Sequence, residues 1–283
     1  MMRRNLGWCG VLLLIALALP VAGDVVSYAL LSGVPDYYNS YGCAPTSGGM
    51  IIGYWDQRPG YSNLVIGDVS TWNTTAQRMV ASQAWLDAGR TWEGHAPTSL
   101  ADTMYTVGYD TYTSYEPGGL VSYAEWDDPS LTPVKEAYEA RSSLYYWYEG
   151  LDYILLQEEI DVGRPMLLNV FAPSKGHAVV AYGYRQLSDG TKFYAVRDTW
   201  WNGLSWAPPG AFLEGGVEWW PWRVDNVAYS GTYDWRVRSG VVFDSDPQLE
   251  LLLTLHTPEP GTMVLFALGL APFVVRRRRR RAA

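Results

Sequence analysis

The chain has 283 residues, 48% hydrophobic and 18% charged, with 28 Gly and 17 Pro. This balance excludes a disordered chain, a collagen-like repeat and a coiled coil. Eight of the 21 Lys and Arg lie in the terminal flanks, so residues 24–257 keep 13 basic against 28 acidic side chains, a net charge near −15, and nucleic-acid binding, which needs a basic face, is excluded.

Residues 1–23 have the layout of a secretory signal peptide: Arg3 and Arg4, an apolar run from Leu6 to Pro20, then the small residues Val21-Ala22-Gly23. The run is short for a spanning helix, so cleavage after Gly23 by signal peptidase is expected. Cys9 leaves with it. The exported domain, 24–257, keeps one cysteine, Cys43, which excludes an internal disulfide.

Asp36 to Ser40 reads as a loop. Ala44 to Trp55 reads as a helix, with Pro45 in its first turn and Met50, Ile51 and Tyr54 on one face. Gly48 and Gly49 lower its propensity but permit close packing. Helices are expected over Thr74–Ala88, Pro97–Val107 and Pro133–Tyr148, with Ala124–Leu131 as a loop. Leu151–Val162 is an amphipathic helix stopped by Gly163, and Met166–Phe171 is a strand. The period then changes. His177–Tyr184 and Phe193–Thr199 alternate as strands around the hairpin signal Ser188-Asp189-Gly190. Residues 200–240 read as loops and short strands, and Tyr233–Phe243 as the last strand. Helices first and antiparallel strands later imply an α+β fold.

Three residues could form one site. Cys43 stands at or just before the first turn of a helix, where free amides and the helix dipole favour a thiolate; burial would instead make it an inert core thiol. Of the three histidines, His256 lies in the tail region at the end of 24–257, and His95 sits in a loop that suits a solvated or capping role. His177 opens an apolar strand after Gly176, placed for a cleft or for a satisfied core position. Asp198 ends the neighbouring strand. It could accept a hydrogen bond from the imidazole, or pair with Arg197 at the surface. Cys on a helix with His and Asp on adjacent strands is the order nucleophilic catalysis needs.

Other chemistry has little support. No metal-ligand spacing and no phosphate loop occurs, and no cofactor is expected. Asp244-Ser245-Asp246 is too short for a calcium loop. Asn73-Thr74-Thr75 is a bare glycosylation sequon. Seven Trp (200, 201, 206, 219, 220, 222 and 235) suit either packing over a sheet edge or a platform for sugar rings.

Two stretches of the chain resemble known families. Pro258-Glu259-Pro260, the apolar stretch Thr262–Val275 and Arg276–Arg281 resemble the PEP-CTERM sorting signal. The resemblance, over residues 258–283, implies transient membrane anchoring, processing by an exosortase and delivery to the envelope or extracellular matrix of a Gram-negative bacterium. Tyr41-Gly42-Cys43-Ala44-Pro45-Thr46-Ser47-Gly48-Gly49-Met50, Ile160–Pro165, Gly176-His177-Ala178-Val179-Val180 and Val196-Arg197-Asp198-Thr199-Trp200 run in order across residues 34–202. They resemble papain-like cysteine peptidases of the double-glycine leader-peptidase branch. The resemblance implies a papain-like α+β fold, with Cys43 as nucleophile, His177 as general base and Asp198 as orienting acid. Such enzymes usually carry a Gln six residues before the Cys as an oxyanion donor. Tyr37 stands there, and no Gln precedes Cys43. Asn39 is the nearest amide, a candidate donor or a turn former.

The expected activity is cleavage of peptide or isopeptide bonds in the envelope or exopolysaccharide matrix. The alternative is a catalytically silent relative that binds matrix polysaccharide or protein through its Trp-rich face.

Overall fold

The computed structural model describes residues 23–61, 63–200, 203–225 and 229–244. The signal segment, the sorting segment with its apolar stretch, His256, Trp201, Ser245 and Asp246 lie outside them. Among the described residues no helix is long and apolar enough to cross a membrane.

Strand β1 (Val25–Leu30) leads into helix α1 (Cys43–Asp56). The short helices α2 (Thr74–Val80), α3 (Gln83–Asp87) and α4 (Leu100–Thr103) follow, then α5 (Glu116–Glu125), β2 (Arg141–Tyr146) and α6 (Tyr153–Asp161). The remaining strands are β3 (Met166–Ala172), β4 (Lys175–Leu187), β5 (Lys192–Arg197), β6 (Phe212–Glu214), β7 (Val217–Pro221) and β8 (Arg236–Asp244). They form one antiparallel sheet in the order β2-β8-β3-β4-β5-β7-β6, and β1 pairs with β4. The architecture is α+β, as the order of periodicities implies.

One apolar core lies between the sheet and helices α1, α2, α4 and α5. A second lies on the opposite face, between the sheet, α6 and the Trp-rich segment. Every residue of α1 after Cys43 is buried, so the helix has no solvent face to carry an amphipathic stripe. Its glycines let neighbours in. A Cβ at Gly48 would lie 2.6 Å from Met104 Cε, at Gly49 2.8 Å from Val80 Cγ2, and at Gly53 2.5 Å from Tyr37 Oη. Close packing explains glycine in a helix better than propensity does.

Three expected helices change. Thr74–Ala88 breaks at Ala81, which is extended, and Ser82 caps α3 by accepting the Trp85 N–H at 2.9 Å. Asn73 caps α2 by accepting from Thr75 and Ala76, a structural use of the sequon asparagine. Pro97–Val107 shortens to α4, because Tyr105 takes a positive φ of 51°, which a right-handed helix cannot hold. Pro133–Tyr148 is not helical; its second half is β2, drawn into the sheet by β8. The sequence reading also missed α5, whose Glu-Pro-Gly-Gly start resembles a turn. Pro117 suits its first turn, and Gly119 lets it approach the Met104 backbone, where a Cβ would lie 2.9 Å from Met104 Cα.

Candidate active site

Gly42 precedes the first helical residue with φ 115° and ψ 140°, a conformation few other residues adopt. It delivers Cys43 to the open N-terminus of α1. No side chain caps this end, so the first amides are free of intrahelical partners, and the Cys43 and Ala44 main chains hydrogen-bond the sulfur. Cys43 is half-buried rather than sealed in the core, yet desolvation dominates and pushes its thiol up to about 11, helped by the nearby Glu116 carboxyl.

His177 lies near the start of β4, which packs against α1. Its neighbour Ala178 meets α1 twice: the Ala178 main chain hydrogen-bonds the Cys43 sulfur, and the Ala178 carbonyl accepts the Ser47 hydroxyl at 3.0 Å. His177 Nε2 lies 2.5 Å from the main-chain oxygen of Asp198. A carbonyl can only accept, so Nε2 carries the proton and Nδ1 presents a bare lone pair. Nδ1 is buried and has no partner. Trp200 lies flat on the imidazole at 3.9 Å, tilted by 22°, and Trp235 lies 5.8 Å away. Burial in this aromatic setting drives His177 down to about 4.

Asp198 thus meets the imidazole through its carbonyl. Its carboxylate faces elsewhere: Oδ1 accepts the Trp200 N–H at 2.9 Å, and Oδ2 is buried without a partner. Burial, reinforced by Glu218, pushes Asp198 up to about 8. Thr199 follows with φ 63°, a strained setting for a β-branched residue. That turn aims the Thr199 carbonyl at the Asn39 N–H, 2.7 Å away.

The loop before Cys43 is fixed from both sides. Asn39 Oδ1 accepts the Gly42 N–H at 3.0 Å. An N–H must meet the oxygen end of an amide, so Nδ2 is the end left over. Asn39 forms the turn, and the same contact leaves its donor available. Tyr37 is fully buried in the core and donates its hydroxyl to the Val69 carbonyl, so it cannot replace the missing Gln. Tyr38, Asn39, Ser40, Trp72, Thr199, Trp200 and Trp206 line a cleft of about 490 Å³ beside this loop.

Sequence reading missed one polar pair behind the nucleophile. Asn169 on β3 faces Ala178 across the ladder and donates to Glu116 at 2.6 Å. Both side chains are buried, and burial pushes Glu116 up to about 8. Asn169 was detectable as the one polar residue in an apolar strand. The Trp-rich segment mostly packs: Trp219, Trp220 and Trp235 are buried, whereas Trp200, Trp206 and Trp222 are half-buried. His95 lies apart from the site, bonded within its own loop. Among the described residues no cluster suits a metal ion.

The sequence matches the model of a Peptidase_C39 like family over residues 25–208. Residues 256–280 match the PEP-CTERM protein-sorting motif, which points to export and exosortase processing. No curated protein matches the chain. The family match spans more than half of the sequence and contains Cys43, His177 and Asp198. The chain belongs to the Peptidase_C39 like family and ends in a PEP-CTERM sorting motif.

Proposed function

We propose that this protein is an exported, papain-like cysteine hydrolase that cleaves peptide or isopeptide bonds in the cell envelope or matrix. The observation that carries the reading is the pairing of α1 with the start of β4. Cys43 sits at a helix N-terminus against the Ala178 main chain, one residue after His177, and His177 holds the tautomer a general base requires. Burial keeps the thiol and the imidazole neutral at rest. Proton transfer therefore accompanies attack: the sulfur bonds to the substrate carbonyl carbon as His177 Nδ1 takes its proton. The Cys43 N–H and Asn39 Nδ2 are the donors for the oxyanion. His177 then protonates the departing amine, and water releases the acyl group by the same route in reverse. Asp198 positions the imidazole.

A peptidyl epoxide, incubated with the full chain and mapped by mass spectrometry, tests this. The adduct is expected on Cys43, absent from Cys43→Ser, and slower by at least about 10²-fold in His177→Ala. An adduct that forms equally fast without His177 sinks the catalytic assignment. It would favour the second reading, a silent relative that binds matrix polymer. The observation on that side is that burial holds Cys43, His177 and Asp198 all in their neutral forms.

A further inference from the structure

The cleft of about 490 Å³ has two walls. Tyr38, Asn39 and Ser40 form one, continuous with the loop that carries the candidate oxyanion donor. Thr199, Trp200 and Trp206 belong to the other, and Trp200 lies on the His177 ring. A substrate segment in this cleft runs between the loop that carries Asn39 and the Trp200 ring that covers the imidazole. That is the side on which the leaving amine must receive its proton.

The lining carries no charged side chain, and four of its seven residues are aromatic. Its rings are fixed in advance. Trp206 packs edge-on against Trp200 at 5.3 Å and against Tyr233 at 4.8 Å, and its carbonyl accepts the Trp235 indole N–H at 2.6 Å. Trp72 packs on the buried Tyr37 at 5.3 Å. A cationic guest is disfavoured, because the Lys175 ammonium already lies over the Trp206 ring at 4.7 Å. An anionic guest finds no free positive charge in the lining, and the nearby Arg197 is paired with Asp36 at 3.2 Å. The volume exceeds what one small side chain fills and lies within the range of about 300–1,000 Å³ typical of ligand pockets.

The geometry points to a specificity site for the leaving group: the cleft selects a large apolar or aromatic side chain on the residue that follows the scissile bond. This rests on the hydrolase reading for its place in the reaction. Binding in the cleft, however, can be measured without turnover.

The probes are dipeptide amides with a free α-amine, X-Gly-amide with X as Trp, Leu, Gly, Asp or Lys, which mimic the leaving segment. Their binding to the full chain is read by calorimetry. The Trp and Leu probes are expected to bind at least about tenfold tighter than the Gly, Asp and Lys probes. Trp206→Ala and Trp72→Ala, each checked for an unchanged near-ultraviolet fold signature, are expected to erase that preference. Equal binding of all five probes, or a preference that survives in both variants, overturns the proposal. So does a neutral oligosaccharide of hexoses that binds the cleft while the peptides do not. A failed adduct test with retained Trp preference would reject the peptidase reading and keep the binding site; a reactive, His177-dependent Cys43 with no preference would do the reverse.

Discussion

The orientation of His177 is carried by a main-chain carbonyl, which no side-chain substitution removes. Asp198→Asn keeps an oxygen for the Trp200 N–H, so it is expected to retain activity within about tenfold. A site whose carboxylate itself held the imidazole would lose about 10⁴ on the same change; kinetics of the two proteins decide between these. Glu116 has the opposite character, since its charge matters more than its shape. Above about pH 8 its carboxylate forms and opposes the Cys43 thiolate. Glu116→Gln is therefore expected to speed alkylation of Cys43 above pH 8 and to leave the rate near pH 6 unchanged. Identical alkylation profiles would mean the carboxyl does not act on the sulfur. Neither behaviour was legible from residue types, because both depend on which atom of a residue faces the site.

Helix α1 shows how an element can contradict its propensities. At an exposed helical site Gly→Ala stabilises by roughly 1 kcal/mol. Gly53→Ala instead pushes a methyl into Tyr37 Oη, Pro35 Cγ and the Val69 carbonyl, and a loss of about 1–3 kcal/mol is expected. The sign of the change in urea denaturation distinguishes the two cases. The loop from Thr91 to Ala96 is held differently. His95 Nε2 lies 2.7 Å from the Thr91 oxygen, and Nδ1 lies 3.1 Å from the Ala96 oxygen. Two acceptors require two donors, so the imidazolium is the form that fits, and these contacts raise its pKa, the Thr91 bond most. Its contribution is present below the ordinary value near 6.5 and is lost as pH rises through the raised one. A proton NMR titration should place His95 above 6.5; a lower midpoint would show that the loop is held without the charge. That helices precede most of the strands was legible because periodicity reports burial. The breaks at Ala81 and Tyr105 were not, because one extended or left-handed residue leaves the apolar period around it unchanged.

For the molecule as a whole, burial of carboxyls sets the pH response. Asp56 is pushed up to about 7, and Glu116 and Asp198 to about 8. Each keeps a proton that the unfolded chain releases near pH 4, so the stability present below pH 4 falls as pH rises and is fully lost once pH passes 7 to 8. His177, driven down to about 4, acts in the opposite sense, losing stability as pH falls from 6.5 toward 4. Three groups outweigh one. The melting temperature is expected to peak near pH 4–5 and to decline toward pH 8, and Glu116→Gln should flatten the decline. A melting temperature that rises from pH 5 to pH 8 would show these carboxyls ionised and paired in the folded state.

The sequence by itself determined the sorting motif, the α+β class and the family, and it supplied the signal segment and the trio Cys43, His177 and Asp198 as expectations. Each is written in local order: an apolar run between charged flanks, a change of period from helix to strand, residues around a cysteine and a histidine. Only the tertiary structure decided that Asp198 meets the imidazole through its carbonyl and that Tyr37 is core. It also decided that Asn39 both turns the loop and spares a donor, and that Glu116 and Asn169 stand behind the sulfur. Most of those facts depend on contacts between separate segments, 53 residues apart for Asn169 with Glu116 and 32 for Tyr37 with Val69. Residue type fixes which groups can bond; the sheet register and the helix packing fix which of their atoms meet.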